Sequence, residues 1–82
     1  MERVNLSDMP AVRAFAVTPS DSVPLMEMTR GIYVGAAGDL KVDMVNGGTV
    51  TFVGLAAGIV HPICAVLVYS TGTTATGVVG LA

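Results

Sequence analysis

With 82 residues, a mean hydropathy of +0.74 and a formal net charge of −2, the chain is long enough for one small domain. Its four basic side chains are scattered and it has no Trp, which argues against nucleic acid as a partner. One Cys and one His exclude an intrachain disulfide and a structural zinc site. So small a domain usually needs such a staple or a partner chain, so we expect oligomerisation.

The first part of the chain combines charged side chains with a proline and shows no sustained apolar periodicity. We predict an N-terminal arm over residues 1–13 and a single β-domain over residues 14–82. Residues 14–17 and 30–34 are short candidate strands. Between them, residues 18–22 have the Pro, Ser and Asp side chains that favour turns.

The clearest local signal is a predicted β-hairpin. Residues 39–45 alternate strictly, which puts Leu40, Val42 and Met44 on one face of a strand. Residues 49–52 alternate again, with their apolar side chains predicted inward. The residues that we assign to the turn tolerate a positive φ or favour turns, and they are Asn46, Gly47 and Gly48.

The remaining elements complete an all-β pattern. Residues 59–69 are rich in β-branched side chains, and Pro62 within them requires an edge, a bulge or a strand start. Residues 77–81 are a last strand. About six short strands, with turns between them and no helical periodicity, predict a small antiparallel β-sandwich, jelly-roll-like domain or open barrel.

Charge is distributed very unevenly along the chain. Asp43 is the last charged side chain, and His61 is the one titratable base among residues 44–82. Because surfaces of soluble domains normally carry interspersed charges, this half must lie in a core, an interface or lipid. We favour an interface between subunits. The interface residues that we predict are apolar or aromatic members of this half: Val60, Ile63, Val66, Val68, Tyr69, Val78 and Leu81.

Two other classes of function remain open at this stage. A small membrane-inserted protein is one, but the apolar run at residues 53–68 is shorter than the ~20 residues of a spanning helix. An enzyme is the other, with His61 and Cys64 as candidates. On a strand, side chains three positions apart point to opposite faces, so we predict no catalysis, cofactor or metal there.

Seven segments of the chain together resemble one family. They are AVTPSDS at residues 16–22, RGIYVG at 30–35, GDLKV at 38–42, GTVTF at 48–52, Ala57-Gly58, Pro62-Ile63 and TGTTATG at 71–77. In their order and spacing, residues 16–82 resemble the small head-spike base proteins of tailed phages and of the phage-derived gene transfer agents of alphaproteobacteria.

The resemblance implies a virion structural protein on the outer surface of a capsid. It implies a homo-oligomeric ring at the capsid vertices, with a pentamer expected first and a trimer next. The ring would dock on the major capsid protein and present a host-binding head fibre, with residues 1–13 as a candidate capsid anchor. A decoration or cement protein at other symmetry positions fits the same resemblance. Neither nucleic acid nor a membrane is an expected partner.

Overall fold

The structure is a computed structural model that describes residues 13–82. The predicted arm therefore lies outside the described residues, except for Arg13. Seven strands follow one another along the chain: β1 (Ala14–Ala16), β2 (Gly31–Tyr33), β3 (Gly38–Met44), β4 (Thr49–Leu55), β5 (Val60–His61), β6 (Ala65–Val68) and β7 (Val79–Leu81).

The strands form two antiparallel sheets. One sheet has the order β1-β7-β2-β5 and the other has the order β4-β3-β6. The all-β antiparallel prediction is confirmed. One expected strand, over residues 59–69, is instead two strands in different sheets. The cause is Pro62, which has no N–H for a ladder, and the chain turns there as the Ile63 amide donates to the His61 carbonyl at 2.8 Å.

A small apolar core lies under both sheets. Its five largest fully buried apolar side chains come from β2, β3 and β6 and from the residue that follows β2: Ile32, Val34, Leu40, Val42 and Val68. Leu40 and Val42 are both fully buried, and Met44 packs partly against the core. The predicted inward face of the strand over residues 39–45 is therefore present in β3.

The predicted hairpin joins β3 to β4. Asp43 pairs with Thr49 at the turn end, and Gly47 and Gly48 have φ of +96° and +98°, values that favour glycine. The Gly47 amide donates to the Met44 carbonyl at 3.0 Å, and the Met44 amide donates to the Gly48 carbonyl at 2.9 Å. These bonds fix the register, and with it the side chains that β4 turns inward.

Candidate interaction surface

The residues predicted for the interface occupy different environments. Ile63, Val68 and Val78 belong to the buried core of the chain itself. Val60 is 54% exposed, whereas the other three are half-buried: Val66, Tyr69 and Leu81. Of the seven predicted interface residues, Val60 therefore lies at the surface and three lie in the core of the chain.

Large apolar side chains are exposed at two places, and among them the sequence analysis named only Val60. Eight such residues occur in the described part of the chain, and five of them fall in the charge-free half between residues 45 and 60: Val45, Val50, Val53, Ile59 and Val60. The other three lie in the segment between β1 and β2: Val23, Met26 and Met28. The strand alternation already signalled Val53, because it follows the inward-facing Phe52.

Strand β4 carries two of these exposed residues, Val50 because β4 is an edge strand and Val53 because it faces outward. Val50 pairs with the buried Val42 and so faces the same side, yet it is 41% exposed. Its neighbour Phe52 packs partly against the core, as predicted. Val53 lies beyond it and is 78% exposed. No strand among residues 13–82 lies on the outer side of β4, so its inward-facing side chain Val50 is covered on one flank only.

The opposite edge of the same sheet is covered by the chain itself. The amides of Ser20, Leu25 and Thr29 donate to main-chain carbonyls of β6 at 2.9 to 3.0 Å. Thr29 is 1% exposed, and its hydroxyl donates to the Ile63 carbonyl at 2.8 Å and accepts from the Ala65 amide at 3.0 Å. The segment between β1 and β2 thus satisfies the β6 edge that would otherwise be open.

A shallow groove runs between that segment and β1. It has a volume of about 280 Å³, and Phe15, Val17, Val23, Leu25 and Met26 are among its lining residues. Leu25 and Phe15 pack partly against the core, whereas Met26 is 79% exposed. The groove is therefore a second apolar feature of the surface, separate along the chain from the one at residues 45–60.

The outer face of the β4-β3-β6 sheet is polar, and its charges are engaged within the chain. The Asp43 carboxylate accepts from the Tyr69 hydroxyl at 2.9 and 3.0 Å and from the Thr49 hydroxyl at 2.5 Å. The Lys41 ammonium lies 4.9 Å from the centre of the Tyr69 ring, a cation–π distance. Asp39 accepts from the Gly54 amide at 3.0 Å. These contacts hold β4 and Tyr69, the residue after β6, against β3.

One carboxylate organises the loop that follows β6. Asp21 accepts from the amides of Ser70 and Thr71, both at 2.9 Å, and from the Thr71 hydroxyl at 2.6 Å. The hydroxyl bond is the largest cause, and together these bonds lower the pKa of Asp21 below its ordinary value. The charge is therefore a structural acceptor that ties the segment after β1 to the segment after β6.

The two residues considered as candidates for catalysis are His61 and Cys64. His61 Nε2 lies 2.9 Å from the Ala56 carbonyl oxygen and donates to it, while Cys64 is exposed. Among residues 13–82, no group of three or more His, Cys, Asp or Glu side chains is placed to hold a metal ion. Over the same residues there is no helix with the length and apolarity that crossing a bilayer requires.

The fold defines the class of the protein, a small antiparallel β-domain that exposes several large apolar side chains. No protein-family model matches the chain, and no curated protein does. A chain in the solved capsid of a native gene transfer agent particle, computed with C5 symmetry, is 39% identical to it. That similarity covers 96% of this chain and 92% of the capsid chain, with a TM-score of 0.83.

The chain belongs to the family of that gene transfer agent capsid chain. The sequence resemblance is thereby confirmed at the level of a capsid of a gene transfer agent. The narrower resemblance to head-spike bases stays a prediction.

Proposed function

We propose that the protein is a structural component of a phage-like particle and acts by binding on the outer surface of its capsid. It forms a homo-oligomeric base at the capsid vertices, docks on the major capsid protein and presents a head fibre that contacts the host. The observation that carries this proposal is the 39% identity, over 96% of the chain, to a chain in a gene transfer agent capsid.

The distribution of charge supports association between copies of the chain. Each copy has a formal net charge of −2, so two copies repel weakly wherever charged faces meet. Residues 44–82 hold no Lys, Arg, Asp or Glu, and five exposed apolar residues lie at residues 45–60. Contact through this uncharged surface removes apolar area from water without burying a charge.

The C5 symmetry with which the related capsid was computed is compatible with a five-fold ring, because a chain that surrounds a five-fold axis forms a cyclic pentamer. A pentamer at the vertices stays the first expectation for this protein, and a trimer is the next. Both are closed rings in which every subunit makes the same two contacts.

The use of the carboxylates supports a binding role rather than catalysis. Asp21, Asp39 and Asp43 each accept hydrogen bonds that hold loops or strands of the chain together. General acid–base catalysis needs a carboxyl or imidazole free to reach a substrate in a cleft. In the described residues these three carboxylates serve the fold, which fits a structural protein of a particle.

The direct test is a comparison of particles with and without the protein. Particles from cells that carry or lack the gene are imaged, and the density is reconstructed with the symmetry of the capsid. We expect ring-shaped density at the vertices, absent from the deletion and restored by adding purified protein. Density spread over other symmetry positions would instead make it a decoration or cement protein. Recovery of the protein from membrane vesicles, with none on particles, would overturn the proposal.

A further inference from the structure

Among residues 13–82, three sheet edges have no further strand beside them, whereas the chain itself covers the fourth. The outer edge of β6 is bonded by the segment between β1 and β2. Strand β4, with seven residues, ends one sheet. Strand β1, with three, and strand β5, with only two, are the ends of the other sheet. Within residues 13–82 no strand pairs with the outer side of these three, and β4 and β1 are the longer two. Edges of this kind are normally blunted by charge or proline, because they template pairing with another chain.

The hydrogen bonds of β3 show which main-chain groups of β4 point outward. The Lys41 amide and carbonyl are both used on the side away from β4, by the Thr73 hydroxyl at 3.0 Å and the Tyr69 amide at 2.8 Å. Thr51 is the partner of Lys41 in the ladder. Lys41 and Thr51 are thus a non-hydrogen-bonded pair of the antiparallel ladder, in which each residue turns its N–H and C=O away from the other. The main-chain groups of Thr51 therefore point to the open edge.

The edge strand β1 presents its main chain in the same way. Arg13 exchanges two hydrogen bonds with Ala82, at 3.0 and 2.8 Å, and the Val17 amide donates to the Val78 carbonyl. Hydrogen-bonded and non-hydrogen-bonded pairs alternate along an antiparallel ladder. The main-chain groups of Ala14 and Ala16 therefore point outward, away from β7. Both alanines are exposed, and their small side chains let another strand approach closely.

The β4 and β1 edges lie on opposite flanks of the molecule. Four residues connect β4 to β5, so the β4 edge lies beside the β5 end of the other sheet. Strand β1 is at the far end of that sheet, in the order β1-β7-β2-β5. Soon after β1, the Ser20 amide bonds to Val68 of β6, which places β1 on the β6 flank. Two different edges on opposite flanks produce head-to-tail contacts, and such contacts form rings when the rotation closes.

We infer that copies of this chain join by adding the β4 edge of one subunit to the β1 edge of the next. The result is one sheet that continues across the subunit boundary, with the Thr51 main chain of one copy bonded to the Ala14 or Ala16 main chain of its neighbour. Neither edge carries a charge in β4 or β1, so two negatively charged copies can approach there. The inference rests on the homo-oligomer of the proposed function and names the surfaces that build it.

The first test removes the hydrogen-bond donor of the β4 edge. Thr51→Pro deletes an N–H that no residue of the described chain uses, and the proline ring blocks an approaching strand. Thr51→Val keeps the N–H and the branched shape, and serves as the matched control. We expect wild type and T51V to form the same discrete oligomer by native mass spectrometry. T51P is expected to associate at least tenfold more weakly, with the circular dichroism of a folded β-protein. An unchanged oligomer in folded T51P would overturn the edge assignment.

A second test does not depend on how well T51P folds. In a Cys64→Ser background, chains with Thr51→Cys are mixed with chains with Ala16→Cys, and disulfide formation is followed by non-reducing electrophoresis. Outward-facing residues of the new pair would have Cα atoms about 5.5 Å apart, within the range of a disulfide. We expect a cross-linked dimer from this mixture or from Thr49→Cys with Ala16→Cys. Ser22→Cys, exposed in the segment after β1, is the control that should not cross-link to position 51.

The same cysteines distinguish a failure of this inference from a failure of the proposed function. A chain that carries both Thr51→Cys and Ala16→Cys should give a ladder of bands that stops at the number of subunits in the ring. Efficient cross-linking of T51C to itself would show a two-fold β4–β4 contact and overturn the head-to-tail assignment while leaving an oligomer. A wild-type chain that remains monomeric would overturn the homo-oligomer itself.

Discussion

Thr29 shows how one side chain holds the two sheets in place. It is the one buried polar side chain among the described residues, at 1% exposure, and its hydroxyl both donates and accepts. The two bonds go to Ile63 and Ala65, which flank Cys64 at the start of β6. Sequence alone could not single out Thr29, because nothing in the segment 23–30 shows that it lies against a strand 35 positions away in the chain.

Replacing Thr29 tests that role. Thr29→Val keeps the size but removes the hydroxyl, leaving the Ile63 carbonyl and the Ala65 amide without that partner. Each buried unpaired group costs about 1 to 3 kcal/mol, so for the two groups we expect a loss of about 2 to 6 kcal/mol in the free energy of unfolding. Thr29→Ser keeps the hydroxyl and loses one methyl group, at about 1 kcal/mol. Urea denaturation at one protein concentration compares the two, and an equal loss for both would contradict the role of the hydroxyl.

Asp21 gives the fold a defined response to acid. Its carboxylate holds the amides of Ser70 and Thr71 and the Thr71 hydroxyl, and these bonds lower its pKa in the folded chain. A lowered folded-state pKa means that the contribution to stability is present above the ordinary pKa of 3.8 and is lost as the pH falls through the folded value.

The carboxyl of Asp21 and the amides of residues 70 and 71 should therefore titrate together below pH 3.8. Nuclear magnetic resonance of the side-chain carbon and the two amides measures this midpoint. In Asp21→Asn the two amides should no longer shift in that range, which makes the variant the matched control. A midpoint for Asp21 at or above its ordinary value would show that the bonds do not hold in solution.

The strands show which parts of the fold are determined by the local sequence. The β3–β4 hairpin was predictable because strict alternation and the two glycines, Gly47 and Gly48, both act within a few residues. The division of residues 59–69 between two sheets was not, although Pro62 marked the place. A proline indicates that the hydrogen-bonded ladder of a strand is interrupted. The sheet that each half then joins depends on partners distant in the chain.

A glycine at the start of β3 depends on such a distant partner. A Cβ atom added at Gly38 would lie 2.6 Å from the Ala75 nitrogen and 2.8 Å from its Cα, so main chain would have to move. The Thr74 and Ala75 amides both donate to the Asp39 carbonyl next to it, which holds that loop in place.

Gly38→Ala should therefore destabilise the fold by about 1 to 3 kcal/mol, the usual cost of forcing extra volume into a packed site. Ala37→Ser, at the exposed neighbouring position, should change the free energy of unfolding by less than about 0.5 kcal/mol. Thermal or urea unfolding measures both variants. Gly38→Ala with wild-type stability would mean that the loop at residues 74–75 is not tightly held against β3.

For the whole molecule, the sequence predicted an uncharged apolar half but did not separate its core residues from its exposed ones. The absence of charge beyond Asp43 pointed to hidden apolar structure, and the core takes Ile63, Val68 and Val78 from that half. Burial within one chain and burial between chains favour the same residue types, so composition cannot separate them. The distinction needs strand order, which identifies β4 as an edge and explains why the inward-facing Val50 stays 41% exposed.

Stability of the whole molecule should depend on protein concentration. An oligomer that binds folded but not unfolded chains raises the melting temperature as concentration rises, by mass action. We expect this rise for wild type and Thr51→Val and little or none for Thr51→Pro, measured by differential scanning calorimetry over a hundredfold range of concentration. Because the joined edges carry no charge, raising the salt from about 0.1 M to 1 M should not dissociate the oligomer, whereas contacts between exposed charges are screened over such a range. Dissociation by salt would place the subunit contact on the charged face around Lys41 and Asp43 instead of on the β4 edge.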